Sequence, residues 1–117
     1  VAGIVSGIST HILDLSLGRP ASGVPVTLEH QGPDGWNLLS NSTTDSDGRV
    51  QQLLPPLNPL VNGSYRVTFK TETYFDRHQV VGLYPVVEIT FIVRDLNGAY
   101  HIPLLLSPNG YSTYRGS

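Results

Sequence analysis

No cysteine occurs in these 117 residues. Disulfides, thiolate metal sites and a cysteine nucleophile are thereby excluded, so the core must hold together by packing, and a reducing compartment suits such a chain. Charge is also sparse: charged residues make up 14% of the chain and the formal net charge is −2. The basic footprint that nucleic acid or an anionic membrane would require is missing, which leaves a small molecule or another protein as the expected partner. Long apolar runs are absent as well. The longest, HIPLLL and VVEITFIV, fall far short of the roughly 20 residues of a spanning helix, so a soluble protein is expected. The first residues, VAGIVSGIS, lack an initiating Met and a basic n-region and do not read as an intact signal peptide, while a cleaved one stays open. No GxSxG elbow, HExxH pair or glycine-rich phosphate loop occurs, which leaves serine-hydrolase, zincin and nucleotide-binding readings without support. There is no internal repeat, and the length suits a single domain over residues 1–117.

What the chain does contain is alternation. β-Branched and aromatic residues alternate with polar ones in runs punctuated by Gly, Pro, Asn and Asp, the pattern of short strands. Eight are expected: THILDLS (10–16), GVPVTLEHQ (23–31), WNLLSNST (36–43), RVQQL (49–53), SYRVTFKTE (64–72), VVEITFIV (86–93), YHIPLLLS (100–107) and YSTYR (111–115). LGRPASG, GPDG, DSDG, LNGA and SPNG supply turn residues between them. DSDG resembles the opening of a calcium loop but lacks the remaining ligands, so it reads as a turn. YFDRHQVVG (74–82) instead places Tyr74, Phe75, His78 and Val81 at helical spacing, with Gly82 as the expected stop. LLPPLNPLVNG (53–63) carries three prolines and must be a loop. The fold class is therefore all-β, a two-sheet antiparallel sandwich of eight strands with one short helix.

Strand faces sort the polar residues. His11 shares a side with Leu13 and Leu15, opposite Ile12 and Asp14. His101 shares a side with Pro103 and Leu105, while Ile102, Leu104 and Leu106 form a continuous core face. Strands that are apolar on both faces must be covered on both, which in a sandwich points to a second subunit and hence a homo-oligomer. A subunit interface that also holds histidines is a pocket with titratable groups. Asn41 and Asn62 lie in N-x-S/T sequons, which matter only if the chain is secreted. His30 and His78 have no evident partner.

Five segments together, STHILD (9–14), GRPASGVPVTL (18–28), TTDSDGR (43–49), YHIPLLLSP (100–108) and the closing YRGS (114–117), resemble the transthyretin-related 5-hydroxyisourate hydrolases. The likeness covers nearly the whole chain, and the pairing of YHIPLLLSP with YRGS is highly specific. It implies hydrolysis of 5-hydroxyisourate to 2-oxo-4-hydroxy-4-carboxy-5-ureidoimidazoline in urate breakdown, by a homotetramer built as a dimer of dimers with its sites between dimers. The family's catalytic histidines fall on His11 and His101, its substrate-binding arginine on Arg49, and its C-terminal motif on Tyr114, Arg115, Gly116 and Ser117. Catalysis is thus expected from His11, His101 and Ser117, and substrate binding from Arg49, Arg115, Tyr114 and Gly116. His101 is expected to orient or activate the water with Ser117 fixing it, and His11 to act across the pocket, although which histidine takes the proton stays open. No cofactor and no metal are expected, because no ligand cluster has the right spacing. Relatives occur in cytoplasm, peroxisome and periplasm, the cytoplasm being the expected compartment. The competing readings are a transthyretin-like small-ligand carrier and a non-catalytic prealbumin-like module, neither of which has reason to keep YRGS.

Overall fold

The structure, a computed structural model, describes residues 7–116. Among them are nine strands and one helix: β1 (Gly7–Asp14), β2 (Arg19–Pro20), β3 (Pro25–Gly32), β4 (Gly35–Thr43), β5 (Arg49–Val50), β6 (Gly63–Phe69), α1 (Thr71–Arg77), β7 (Val87–Val93), β8 (Ala99–Ser107) and β9 (Gly110–Thr113). They form two sheets. One runs β2-β1-β8-β9 with β5 also paired to β1, and the other runs β4-β3-β6-β7. The β1 and β8 ladder is parallel and the remaining pairs are antiparallel.

The sheets face each other through the residues that alternation selects. Ile8, Ile12, Leu104 and Leu106 from one sheet meet Val26, Leu28, Tyr65, Val67 and Phe69 from the other, all buried. Each such side chain contributes roughly 1.5–3 kcal/mol on leaving water, so a slip of one residue in β1 or β8 would forfeit the core. The histidines stay outside. In β1 burial alternates strictly, with Ile8, Thr10, Ile12 and Asp14 inside and Ser9, His11 and Leu13 half-buried on the outer face.

Three local expectations need correction. The ninth strand, β2, lies in LGRPASG, read above as a turn: Arg19 and Pro20 pair with Asp14 and Leu13 on the sheet edge, where proline is tolerated. RVQQL contributes only Arg49 and Val50 to the ladder, since the chain then dives to bury Leu53 and Leu54. The helix occupies Thr71–Arg77 and not 74–82. β6 has ended at Phe69, and the first turn is held by the Thr71 hydroxyl donating to the Tyr84 carbonyl at 2.7 Å and by Glu72 N–H to Pro85 O at 3.0 Å. It stops because Gln79 turns left-handed at φ 56°, which leaves Val81 93% exposed. Gly82 is not the stop. A Cβ there would lie 2.8 Å from Cδ2 of Phe75, so glycine makes room for that ring.

Tyr74 and Phe75 bury the inner face of α1. The Tyr74 hydroxyl donates to Oδ2 of the buried Asp14 at 2.7 Å, while Oδ1 accepts from the Ser16 hydroxyl and the backbone N–H groups of Ser16 and Leu17. Burial alone would raise the Asp14 carboxyl, but these bonds outweigh it and hold it below the usual carboxylate range. The helix is thereby tied to the end of β1.

Candidate active site

The site begins with strand register. β1 pairs antiparallel with β5 so that His11 stands opposite Arg49, and parallel with β8 so that Ser9 stands opposite His101. Residues opposed in a ladder share a face. Ser9, His11, Arg49 and His101 therefore gather on the outer face of one sheet, backed by the core residues of the alternate positions.

The DSDG turn delivers the arginine. Oδ1 of Asp45 accepts from the N–H of Asp47 at 2.9 Å and of Arg49 at 3.0 Å, and Gly48 N–H donates to Asp45 O at 2.9 Å. Gly48 has φ 75°, and a Cβ there would sit 2.5 Å from the Ile12 carbonyl oxygen, so only glycine lets the turn close against β1. As expected, this is a turn. Its function is to set the Arg49 guanidinium beside the histidines, where no described carboxylate comes within ion-pair distance of it.

Ser9, Thr10, Arg49, Gln51, Ala99 and His101 line a cleft of about 290 Å³. Nδ1 of His101 lies 2.8 Å from the Ser9 hydroxyl oxygen. Burial first, then the charge of Arg49 and the proximity of His11, holds the His101 imidazole below the ordinary histidine value of 6.5. At neutral pH it is uncharged and can accept a proton. The chain beyond β9 returns to it: Gly116 N–H donates to the His101 carbonyl at 2.8 Å, forming an isolated bridge. Gly116 has no room for a side chain, because a Cβ would press into Cδ2 of the His101 ring and lie 3.2 Å from Cγ of Pro103.

The remaining members of the tail go elsewhere. Arg115 donates from Nη2 to the Ala99 carbonyl at 3.3 Å and stacks 4.3 Å from the centroid of the Tyr100 ring. With Tyr114, which is 56% exposed, it borders a second, largely apolar groove of about 300 Å³ between β7 and β8. Within one chain the structure thus brings His11, Arg49, His101 and Gly116 together and holds Arg115 and Tyr114 apart from them. Ser117 lies outside the described residues. His30 and His78 do have partners: His30 packs on Tyr65 with centroids 4.6 Å apart, and His78 meets the Tyr74 carbonyl at 3.0 Å through Nδ1. Neither lines the cleft. Four lining residues escaped the sequence reading, Ser9, Thr10, Gln51 and Ala99. Ser9 was accessible to it, standing two residues before His11 on the same face.

A sandwich of this topology with imidazole and guanidinium groups collected on one outer face is a transthyretin-type fold. A model described as the HIUase/Transthyretin family matches residues 8–116. The 5-hydroxyisourate hydrolase of Salmonella dublin is 46% identical over 110 residues, covering 94% of this chain and 80% of that protein. The Klebsiella pneumoniae 5-hydroxyisourate hydrolase structure overlays with a TM-score of 0.83 at 38% identity, over 96% of this chain and 94% of that one. Transthyretin from Sparus aurata overlays with a TM-score of 0.88 at 29% identity, over 96% and 97%. The chain belongs to the HIUase/Transthyretin family. Backbone similarity does not separate its hydrolases from its transthyretins, so the side chains of the cleft must.

Among the described residues, no group of three or more His, Cys, Asp or Glu could hold a metal ion. No helix among them is long and apolar enough to cross a membrane.

Proposed function

We propose that the protein hydrolyses 5-hydroxyisourate to 2-oxo-4-hydroxy-4-carboxy-5-ureidoimidazoline, with the cleft between Arg49 and His101 as its site. The observation that carries this reading is the gathering of His101 and Arg49 in one cleft, the arginine having no described acidic partner. Such a guanidinium is free to bind the carbonyls of a flat oxidised purine. The hydrolases among the relatives supply the substrate by name.

In the proposed reaction Nε2 of His101 takes a proton from water as the water oxygen bonds to the carbonyl carbon of the six-membered ring. Arg49 stabilises the oxyanion that forms. Collapse breaks the carbon–nitrogen ring bond, the leaving nitrogen takes the proton from the imidazolium, and a carboxylic acid remains, ionising at neutral pH. His11, opposite Arg49 in the ladder, assists binding or proton transfer. Gly116 packs against His101, and Tyr114, Arg115 and Ser117 enter the site as binding and water-fixing groups once subunits assemble.

That assembly, a homotetramer with sites between dimers, is part of the same proposal, as is a single domain spanning 1–117. Leu15 and Leu17 are exposed in the turn that follows β1, apolar surface that a partner subunit would cover. The cytoplasm is the proposed compartment, a reducing one suiting a cysteine-free chain. The test is to add the protein to freshly formed urate oxidase product and follow the ultraviolet band of the intermediate. Faster decay to the ureidoimidazoline supports hydrolysis. An unchanged decay rate combined with saturable thyroxine binding would favour a carrier instead.

A further inference from the structure

We propose that Ser9 is a positioning residue for His101, its hydroxyl oxygen accepting the Nδ1 proton so that Nε2 is left as the proton acceptor facing the cleft. This rests on the hydrolytic reading of the site but makes a claim about the resting protein that can be tested without turnover.

Three features of the ring's surroundings carry it. Nδ1 is within 2.8 Å of the Ser9 oxygen. The Cδ2 and Cγ edge is closed by Gly116. What remains of the ring is its far end, Cε1 and Nε2, and His101 is one of the residues lining the cleft. The ring is therefore gripped on both edges next to its attachment and free where chemistry needs it.

The grip is set by backbone register, not chance. Ser9 and His101 oppose each other within a parallel ladder of eight residue pairs running from Gly7 and Ala99 to Asp14 and Leu106. A serine side chain has one rotatable bond before its oxygen, so little freedom is lost in making the contact. The adjacent hydroxyl cannot substitute, because Thr10 is buried on the other face and donates to the Ile102 carbonyl at 2.6 Å.

The choice of a hydroxyl has a chemical consequence. A carboxylate at Nδ1 would orient the ring and also stabilise the imidazolium, raising its basicity. A neutral hydroxyl orients without that charge, so the ring stays uncharged beside Arg49 and His11. The hydroxyl can also donate to Nδ1, and the ring would then present Nε2–H to the cleft as a donor. That arrangement cannot accept a proton from water and is the alternative the experiment must detect.

The experiment uses uniformly 15N-labelled full-length protein at neutral pH, with long-range proton–nitrogen spectra of the His101 ring in wild type, Ser9→Ala and Ser9→Thr. Wild type is expected in the Nδ1–H form. Ser9→Ala should shift the ring towards Nε2–H, and Ser9→Thr, which keeps the hydroxyl on a strand-compatible side chain, should restore it. In the hydrolysis assay, Ser9→Ala should lower kcat on the order of tenfold with KM within about twofold, since positioning and not binding is lost. Circular dichroism and thermal melts of the three proteins check that the sandwich is retained. Wild type in the Nε2–H form, or Ser9→Ala with unchanged tautomer and kcat, would overturn the proposal. Should wild type show no hydrolysis at all, the functional reading fails while the spectra still decide the tautomer.

Discussion

Gly116→Ala is the sharpest perturbation of the site, because it adds a single methyl group. Gly116 is seated against His101 by its own N–H at 2.8 Å to the His101 carbonyl, so the backbone cannot retreat without breaking that bond. The new Cβ would overlap Cδ2 of the ring and come within 3.2 Å of both Cγ of His101 and Cγ of Pro103. Pro103 is buried and fixed in β8. The imidazole must therefore swing away or the terminal segment must detach. Overpacking of this kind costs about 1–3 kcal/mol of stability, while displacing a catalytic group by about 1 Å costs on the order of a hundredfold in rate. That rate loss corresponds to roughly 2.7 kcal/mol of transition-state stabilisation. The assay is kcat/KM for decay of 5-hydroxyisourate, paired with a thermal melt. The expected result is a loss near a hundredfold in a protein that still folds. Activity within about threefold of wild type would show that the packing of Gly116 on the ring has no bearing on catalysis.

The pH dependence follows from His101. Its proton-accepting form is the neutral one and its pKa lies below 6.5, so hydrolysis should persist below that pH and fall only on further acidification. Arg49→Gln removes one of the charges depressing that pKa, so besides slowing turnover it should move the acid limb of kcat to higher pH; an unmoved limb would contradict the assignment. The same depression means that His101 contributes folding stability that is fully present above 6.5 and is lost as pH falls towards the folded-state value, visible as a declining melting temperature. Tyr74→Phe removes the donor to Oδ2 of buried Asp14 and should destabilise by about 1–3 kcal/mol with little change in kcat, as read by denaturant unfolding. Exhaustive chelation should leave activity intact, since the proposed groups are imidazole and guanidinium, and loss restored by zinc would contradict the mechanism.

How much of this was legible in the sequence depended on distance from a regular strand. The period of two is unbroken in β1 and interrupted in β8 only by the buried Pro103, so the outward placement of His11 and His101 followed directly from Ile12 and from the Ile102, Leu104, Leu106 face. The DSDG turn was equally readable, because its Asp and Gly act on backbone groups only two to four residues away. Pairing was not readable: that Arg49 would face His11, or Ser9 face His101, depends on which strands become neighbours. Alternation also fails once a strand ends. β9 stops at Thr113, and beyond it Arg115 turns onto Tyr100 for reasons of aromatic contact that no periodicity encodes. The helix was misplaced for a similar reason, its first turn being held by the Tyr84 and Pro85 carbonyls from a later loop.

The central claim is that Arg49 and His101 carry hydrolysis of 5-hydroxyisourate, and steady-state turnover of that substrate by His101→Asn and Arg49→Glu tests it most directly. Each substitution should lower kcat/KM by on the order of a hundredfold or more, the cost of losing a proton acceptor or an oxyanion donor, in proteins whose melts match wild type. Turnover by both variants within about threefold of wild type would remove the two residues from the reaction and with them the proposed site.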